Sequence, residues 1–437
     1  MADVQPFHAI RYNAERFRDL SALICPPYDI ISPQDQLRYL QKSPYNMIRL
    51  EFGEGSPDDT AQDNRYTRAA ATLDNWLRDE ILVGEQRPAF YLIEHRFSQP
   101  GDANSRFSLI ARVRLEDFST GVIRPHEATI GRAGADRLNL LRACRANFSP
   151  VMALFRDKGT GVLSLLPSTI DPPVSSAIHD QGVGYALWLL TDEEVLAAIQ
   201  DYFVDKTLYI ADGHHRYQTA LAFQQEERQA GTSSPKAEAS DFVMMSLTDA
   251  YDPGLVVEPT HRLVRGLNPD RLSIITEQLS ASFDQEVLPP RADREATLAA
   301  WLQVMEERGK ERNVFGLYGV DRGCLRLLML ERGPSRQEPP SIAMELDVSL
   351  LHRLVFEEAL HICSPDMVQD CLDYTRDASE AISRVESGVY QLAFLLNPTP
   401  VSRMLDVADQ GMRMPQKSTY FHPKTPAGLA INPLWIA

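Results

Sequence analysis

The stretch T-L-Y-I-A-D-G-H-H-R-Y-Q-T-A-L-A-F-Q-Q-E-E-R-Q, residues 207–229, decides how the chain is read. TLYIA (207–211) is a short apolar run of strand type, and Asp212-Gly213 follows as a turn. Beyond the turn, Tyr217, Ala220, Leu221 and Gln224 recur at helical spacing on one face. The segment before it, TDEEVLAAIQDYF (191–203), opens with Thr191 and carries Glu194 three residues on, which predicts a capped helix. The segment after it, DFVMMSLTD (241–249), predicts a buried strand. Helix, strand, turn, helix and strand in succession are the alternation of an α/β core.

The turn itself, DGHHR (212–216), carries the strongest chemical signal. Gly213 supplies a positive φ between strand and helix at no steric cost. The residues after it occupy a helix N-terminus, where unpaired N–H groups and the helix dipole favour an anion. His214, His215 and Arg216 add side chains that donate to phosphate, and Asp212 adds a carboxylate for a metal, a ribose or a hydroxyl. The plainer alternative is that Asp212 caps the helix and the histidines lie on the surface. That alternative suits one residue better than five in a row. Adjacent histidines diverge, and no H-E-x-x-H or C-x-x-C accompanies them, so a structural zinc is not indicated. A phosphate-bound Mg²⁺ fits the pattern better.

Working outward, the chain has 437 residues and a net charge of −16, from 44 Lys+Arg against 60 Asp+Glu. That charge argues against a generic binder of nucleic acid or anionic membrane, since both need a basic surface. The five cysteines are scattered, so neither a disulfide framework nor a zinc ribbon is expected. No apolar run approaches the ~20 residues that span a bilayer, and the N-terminal residues lack a signal-peptide pattern. A reduced, cytoplasmic setting is the expectation.

Pro/Gly/Ser-rich stretches at 165–176, 230–240, 287–294 and 332–341 punctuate the chain. Helices are expected over 63–78, over 136–148 with a stop at Ser149-Pro150, at ATLAAWLQVMEERGK, and over 347–362. AFYLIEHRF and RFSLIARVRLEDF predict a hairpin joined by SQPGDANS. NVFGLYGV and CLRLLMLE read as strands. The result is a mixed α/β (α+β) protein of three lobes: residues 1–155, a core over 156–266 that carries the DGHHR motif, and residues 267–437.

Four further segments hold candidate site residues. RPHEAT (124–129) offers Glu127 beside His126 as a general base. Arg142 and Arg145 share a helical face and invite an anionic partner, although a solvated surface explains them equally well. In EPTHR (258–262), Thr260, His261 and Arg262 are pocket candidates against the alternative of a strand end. In MPQKSTYFHPK (414–424), Lys417, Ser418, Thr419 and Lys424 are candidate phosphate contacts from a loop, against the alternative of a C-terminal tail packing on the core. The spacing from Gly411 to Lys417-Ser418 resembles a P-loop, but Gln416 replaces the second glycine and Pro423 and Pro426 block a long helix. GTGVLS (159–164) lacks the third glycine of a dinucleotide fingerprint. PPYDIIS (26–32) reads as a rigid loop that brings Tyr28 and Asp29 to a site, or as a simple turn.

PPYDIIS, SPYNMIRL (43–50), PHEAT, RANFSP, ADGHHRY, DPGL, PTHR and MPQKSTYF recur together and in order. This set resembles the large prokaryotic family called domain of unknown function 1015, over nearly the whole chain. DGHHR is similar to the motif of the ParB/sulfiredoxin superfamily, in which a strand-turn-helix cradles nucleotide phosphates. The resemblance implies a ParB/sulfiredoxin-like central core with flanking N-terminal and C-terminal α/β lobes. It also implies nucleotide-dependent phosphoryl transfer to a small hydroxylated metabolite, as in free-serine kinases, with ATP or ADP and Mg²⁺. The roles implied are catalytic for Glu127, Asp212, His214 and His215. They are nucleotide- or phosphate-binding for Gly213, Arg216, Arg142, Arg145, His261, Arg262, Lys417, Ser418 and Thr419. Sulfiredoxin chemistry is not implied, because no cysteine lies within 212–216. The other readings are a nucleotide-responsive ParB-like binding protein without turnover, which would associate with nucleic acid, and a small-molecule phosphatase.

Overall fold

The computed structural model describes all residues except 100–101, 129–132, 158–160, 166–171, 181, 232–237, 331–341 and 436–437. Contacts divide the chain into two compact units that are not consecutive segments. The first comprises residues 1–125, 129–256 and 421–437, and the second comprises 126–128 and 257–420. The protein is of the mixed α/β class expected from the sequence.

The first unit is built on a nine-stranded mixed sheet. Its strands are β1 (Val4–Gln5), β2 (Phe90–Gln99), β3 (Asp102–Arg114), β4 (Ile123–Pro125), β5 (Val151–Phe155), β6 (Ser175–Ile178), β7 (Gly184–Leu190), β8 (Leu208–Asp212) and β9 (Phe242–Asp249). The order is β4-β8-β5-β9-β3-β2-β7-β6, with β1 beside β3. Strands β8 and β4 run parallel, as do β9 and β5, while the other neighbours are antiparallel.

Both faces of this sheet are covered, as the alternation along its strands requires. Phe90, Leu92, Val151, Ala153, Leu208 and Ile210 point to one face and pack against the helices Glu193–Phe203 and His214–Gln229. Tyr91, Ile93, Ile110 and Met244 point to the other face, where they meet the N-terminal layer and residues 427–431. Every residue of β5 is buried, so its sequence VMALF is a continuous apolar run instead of an alternating one.

Local chemistry accounts for the helix ends. Helix α1 (Pro33–Lys42) opens with a capping box in which Ser32 and Asp35 bond reciprocally. Helix α2 (Arg65–Arg78) starts behind Asn64. Helix α3 (Ala133–Cys144) stops four residues before the expected end. Arg145 takes φ 47°, and Ala146–Asn147 then pairs with Asn432–Pro433. Helix α4 (Glu193–Phe203) is capped by Asp192, whose carboxylate accepts from the N–H groups of Glu194 and Val195. The expected Thr191–Glu194 box is therefore displaced by one residue, because a carboxylate at Asp192 also satisfies the favourable helix-dipole sign. Helix α5 (His214–Gln229) follows β8 directly.

The second unit has a six-stranded antiparallel sheet: β10 (His261–Val264), β11 (Asp284–Leu288), β12 (Asn313–Tyr318), β13 (Leu325–Leu330), β14 (Leu372–Thr375) and β15 (Leu392–Leu396). Its order is β11-β13-β12-β15-β10-β14. Helices α6 (Pro269–Ser280), α7 (Arg294–Gly309), α8 (Ala378–Glu386) and α9 (Val401–Asp409) belong to it. Trp301, Met305, Ala381 and Ile382 from α7 and α8 share a core with Val314, Tyr318 and Leu395. The segment expected to be one helix over 347–362 is α-helical only for Asp347–Leu350 and continues as a π-helix over Leu351–Ala359.

The hairpin turn at Pro100-Gly101 lies outside the described residues, as do 232–237 of the 230–240 loop and the 332–341 stretch. Within the described residues, no helix is long and apolar enough to cross a membrane.

Candidate functional site

Strand β8 runs into the site through a break in its pairing with β5. Ile210 pairs with Ala153, but Asp212 pairs with Met152, so the ladder slips at the strand end. Such an irregularity re-aims a side chain. Gly213 follows with φ 86° and serves as the N-cap of α5 with no side-chain cap, and its carbonyl accepts the first helical bond from the Tyr217 N–H (3.0 Å). A Cβ on Gly213 would lie 2.9 Å from Arg216 Nε, so both its φ and the approach of Arg216 call for glycine.

Asp212 does not cap the helix. Its Oδ2 accepts from Arg216 Nη2 one turn later, and its Oδ1 lies 2.7 Å from Lys424 Nζ. Lys424 also binds Asp29 Oδ2, so one buried ammonium is shared by two carboxylates. Arg216 Nη1 donates to the Pro150 carbonyl. Burial by itself would raise the Asp212 carboxyl, but Lys424 and Arg216 outweigh it and hold it well below the ordinary carboxylate range.

Asp29 arrives on the 3₁₀ turn Tyr28–Ile30 of the PPYDIIS loop. Behind it lies Glu51, whose side chain is only 3% exposed. Its Oε1 accepts from Ser149 Oγ (2.8 Å) and from the Tyr28 N–H (3.3 Å). Arg137 donates to the Glu51 carbonyl (2.7 Å) and lies 4.1 Å from the centre of the Tyr28 ring. Burial raises the Glu51 carboxyl against the opposing pull of Arg137 and Arg216. Glu51, Arg137, Ser149 and Arg216 line a cavity of about 50 Å³.

Lys424 is delivered by a buried clamp. Arg106, with no exposed surface, donates to the carbonyls of His422 (2.9 Å) and Pro423 (2.6 Å). Thr425 is 3.3 Å from His95 Nε2. Desolvation lowers the Arg106 guanidinium to about 10. That cost is accepted where two backbone carbonyls answer the charge and set the residues on either side of Lys424.

The remaining candidates fall into separate groups. His214 is buried and His215 half-buried at the first two positions of α5. Arg142 forms a two-bond pair with Glu226 (2.9 and 2.5 Å), and Arg145 does the same with Glu227 (3.0 and 2.5 Å). These pairs brace α3 against the helix that carries the motif.

The second unit holds Glu127, His261, Arg262 and the loop 417–419. Glu127 Oε1 accepts from the N–H groups of Ser418 (2.9 Å) and Thr419 (3.1 Å), and His126 Nε2 meets Thr419 Oγ1 at 2.9 Å. Arg262 donates to the Lys417 carbonyl (3.0 Å). His261 Nδ1 accepts from the Leu396 N–H, and burial lowers its imidazole to about 4, so it is neutral at physiological pH. Lys417 has φ 60° and its side chain is exposed. The structure thus gathers Asp212, Gly213 and Arg216 with Lys424 and Asp29 in one unit, and Glu127 with Arg262 and 417–419 in the other.

Glu51, Arg137 and Arg106 escaped the sequence reading as site residues. Glu51 immediately follows SPYNMIRL, and that position beside a motif was the available signal; Arg137 lies five residues before Arg142 in the segment expected to be helical over 136–148. Arg106 sits in an alternating strand with no motif around it. Among the described residues no group of three or more His, Cys, Asp or Glu side chains is arranged to hold a metal ion.

A family profile described as "Protein of unknown function (DUF1015)" matches residues 4–349. No curated protein matches the sequence. Solved structures that share chain coverage include a conserved hypothetical protein from Pyrococcus furiosus, at 13% identity and TM-score 0.36, covering 74% of this chain and 94% of that one. A free serine kinase in complex with AMP aligns at 12% identity and TM-score 0.37, covering 74% of this chain and 91% of its own. A C-terminally truncated SbnI from Staphylococcus aureus aligns at 11% identity and TM-score 0.35, covering 74% and 87%.

Proposed function

We propose that this chain, which belongs to the DUF1015 family, binds a nucleotide at the Asp212–Arg216 turn and transfers a phosphoryl group to a small hydroxylated metabolite, serine being the first candidate. The turn would then be the phosphate cradle of a ParB/sulfiredoxin-like core. The observation that carries this reading is the left-handed Gly213 between β8 and a sixteen-residue helix, flanked by Lys424 and Arg216. A helix start with two cations beside it suits a phosphate, and phosphoryl transfer needs positioning and charge stabilisation above all.

The existing ion pairs supply a mechanism. A phosphate that draws Lys424 and Arg216 to itself loosens both from Asp212. Burial then raises the proton affinity of Asp212, which makes the carboxylate a better acceptor at the moment it is needed. The acceptor hydroxyl oxygen forms a bond to the terminal phosphorus, the bond from phosphorus to the nucleotide oxygen breaks, and the hydroxyl proton passes to Asp212. Asp29 would offer the kind of oxygen donor that Mg²⁺ prefers, and the ion would supply neutralisation of phosphate charge, leaving Asp212 to take the proton.

The test is a phosphorus NMR time course with Mg²⁺, ATP or ADP, and L-serine, beside a control without the amino acid. A phosphomonoester peak that requires serine is the expected result. Nucleotide hydrolysis in both samples would favour a phosphatase. Unchanged nucleotide with retained binding would favour a binding protein without turnover, and either result overturns the kinase reading.

A further inference from the structure

A cavity of about 340 Å³ lies in the second unit, lined by the N-terminal half of α7, by α8 from Ser379 to Glu386, and by Tyr318 at the end of β12. Its size falls within the roughly 300–1,000 Å³ of small-molecule sites. The proposed phosphoryl-transfer site belongs to the first unit and uses none of its residues.

The floor is apolar and firmly built. Trp301 of α7, Ile382 of α8 and Tyr318 of β12 are all buried, and the Trp301 and Tyr318 ring centres are 6.1 Å apart. Trp301 is fixed by its indole N–H, which donates to the Pro289 carbonyl (3.3 Å). A pocket with two oriented aromatic rings takes an apolar group or ring against them.

The mouth carries both signs of charge. Glu386 accepts from the Tyr318 hydroxyl (3.1 Å) and pairs with Arg294 Nη1 (2.9 Å), with both charged side chains exposed. Arg294 also donates to Ser383 Oγ (2.8 Å). Arg291 lines the same cavity and is exposed; its backbone N–H and carbonyl both meet Thr297 Oγ1, and among the described residues its guanidinium has no ion-pair or hydrogen-bond partner. An ammonium beside Glu386 and a carboxylate beside Arg291 would answer all three charges. A cation alone would leave Arg291 unanswered, and an anion alone would compete with Glu386.

We infer that this cavity binds a free α-amino acid with an apolar side chain: the side chain rests on Trp301 and Ile382, the ammonium meets Glu386 and the Tyr318 hydroxyl, and the carboxylate meets Arg291. This site is additional to the proposed phosphoryl-transfer reaction and does not depend on it.

Titration of the full chain with L-phenylalanine and L-leucine, followed by calorimetry and tryptophan fluorescence, tests the assignment. Saturable binding is expected, with 3-phenylpropionate and phenethylamine at least tenfold weaker because each lacks one charged group. Glu386→Gln and Arg291→Ala change exposed side chains and should leave thermal unfolding nearly unchanged. Each should weaken L-phenylalanine about tenfold, the loss of one charge-assisted contact. No saturable binding at millimolar ligand would overturn the inference. So would binding that survives both variants, or analogues that bind as tightly as the amino acid.

Discussion

Replacing Lys424 with methionine keeps most of the unbranched apolar stem, one atom shorter, and removes the charge shared by Asp29 and Asp212. Lys424 is 7% exposed, Asp29 26% and Asp212 21%, so the cluster is neither fully buried nor a surface pair. Breaking a buried pair costs ~3–5 kcal/mol, and breaking an exposed one ~0–1 kcal/mol. Arg216 stays on Asp212 in the variant, which places the expected loss at ~2–3 kcal/mol near neutral pH. The pH dependence is the sharper test. Asp212 is held below its unfolded value of about 3.9, so its contribution is full above that pH and fades as the medium is acidified through the folded value. The difference between wild type and Lys424→Met in urea unfolding should therefore be large at about pH 7 and shrink steadily below about pH 4. In the double variant Lys424→Met/Asp212→Asn the losses should fall short of the sum by about 1 kcal/mol or more, because one partner's removal makes the other's cheaper. Equal urea midpoints for wild type and Lys424→Met near neutral pH would refute the reasoning, as would strictly additive losses.

Gly213→Ala forces an L-residue to φ 86° and sets its Cβ 2.9 Å from Arg216 Nε, so a loss of ~1–3 kcal/mol is expected in thermal or urea unfolding. Arg216→Lys retains the charge but loses the fork that spans Asp212 and the Pro150 carbonyl. Nucleotide affinity measured by calorimetry should fall at least about tenfold while circular dichroism stays native. Glu51→Gln should remove a pH dependence of the opposite sign to that of Asp212. Glu51 is raised in the folded state, so its ionisation weakens the fold as pH climbs from the unfolded value through the folded one, and the variant should gain stability relative to wild type above that range. Glu127→Ala removes the acceptor for the Ser418 and Thr419 N–H groups and should lower the stability of the second unit by ~1–3 kcal/mol. If phosphoryl transfer also vanishes in protein that is still folded, Glu127 is a catalytic residue as well as a loop anchor.

Much of this chain was legible from periodicity. Leu208–Asp212, Phe242–Asp249 and the long helices at Arg65, Arg294 and His214 lie within a residue or two of the expected segments. Apolar spacing and the Gly213 break are local properties and survive into the fold. Errors came where distant residues compete with local ones. Helix α3 ends at Cys144, since the chain must leave the helix for Ala146–Asn147 to pair with Asn432–Pro433, almost three hundred residues away. The reading of Asp212 as a possible cap failed for the same reason, because Lys424 and Arg216 offer it stronger, charge-assisted partners.

By itself the sequence determined the mixed α/β class, the strand–glycine–helix turn, and the residue types clustered at that turn, because each depends on neighbours within a few positions. Tertiary structure alone decided which distant charges meet there. Asp29 comes from an N-terminal turn, Glu51 from a buried segment, and Lys424 from a C-terminal strap held by Arg106, and pattern along the chain carries no record of such pairings. It also assigned Glu127 to the second compact unit and Asp212 to the first. Electrostatic energy depends on distance and burial in three dimensions, and neither can be read from spacing in one.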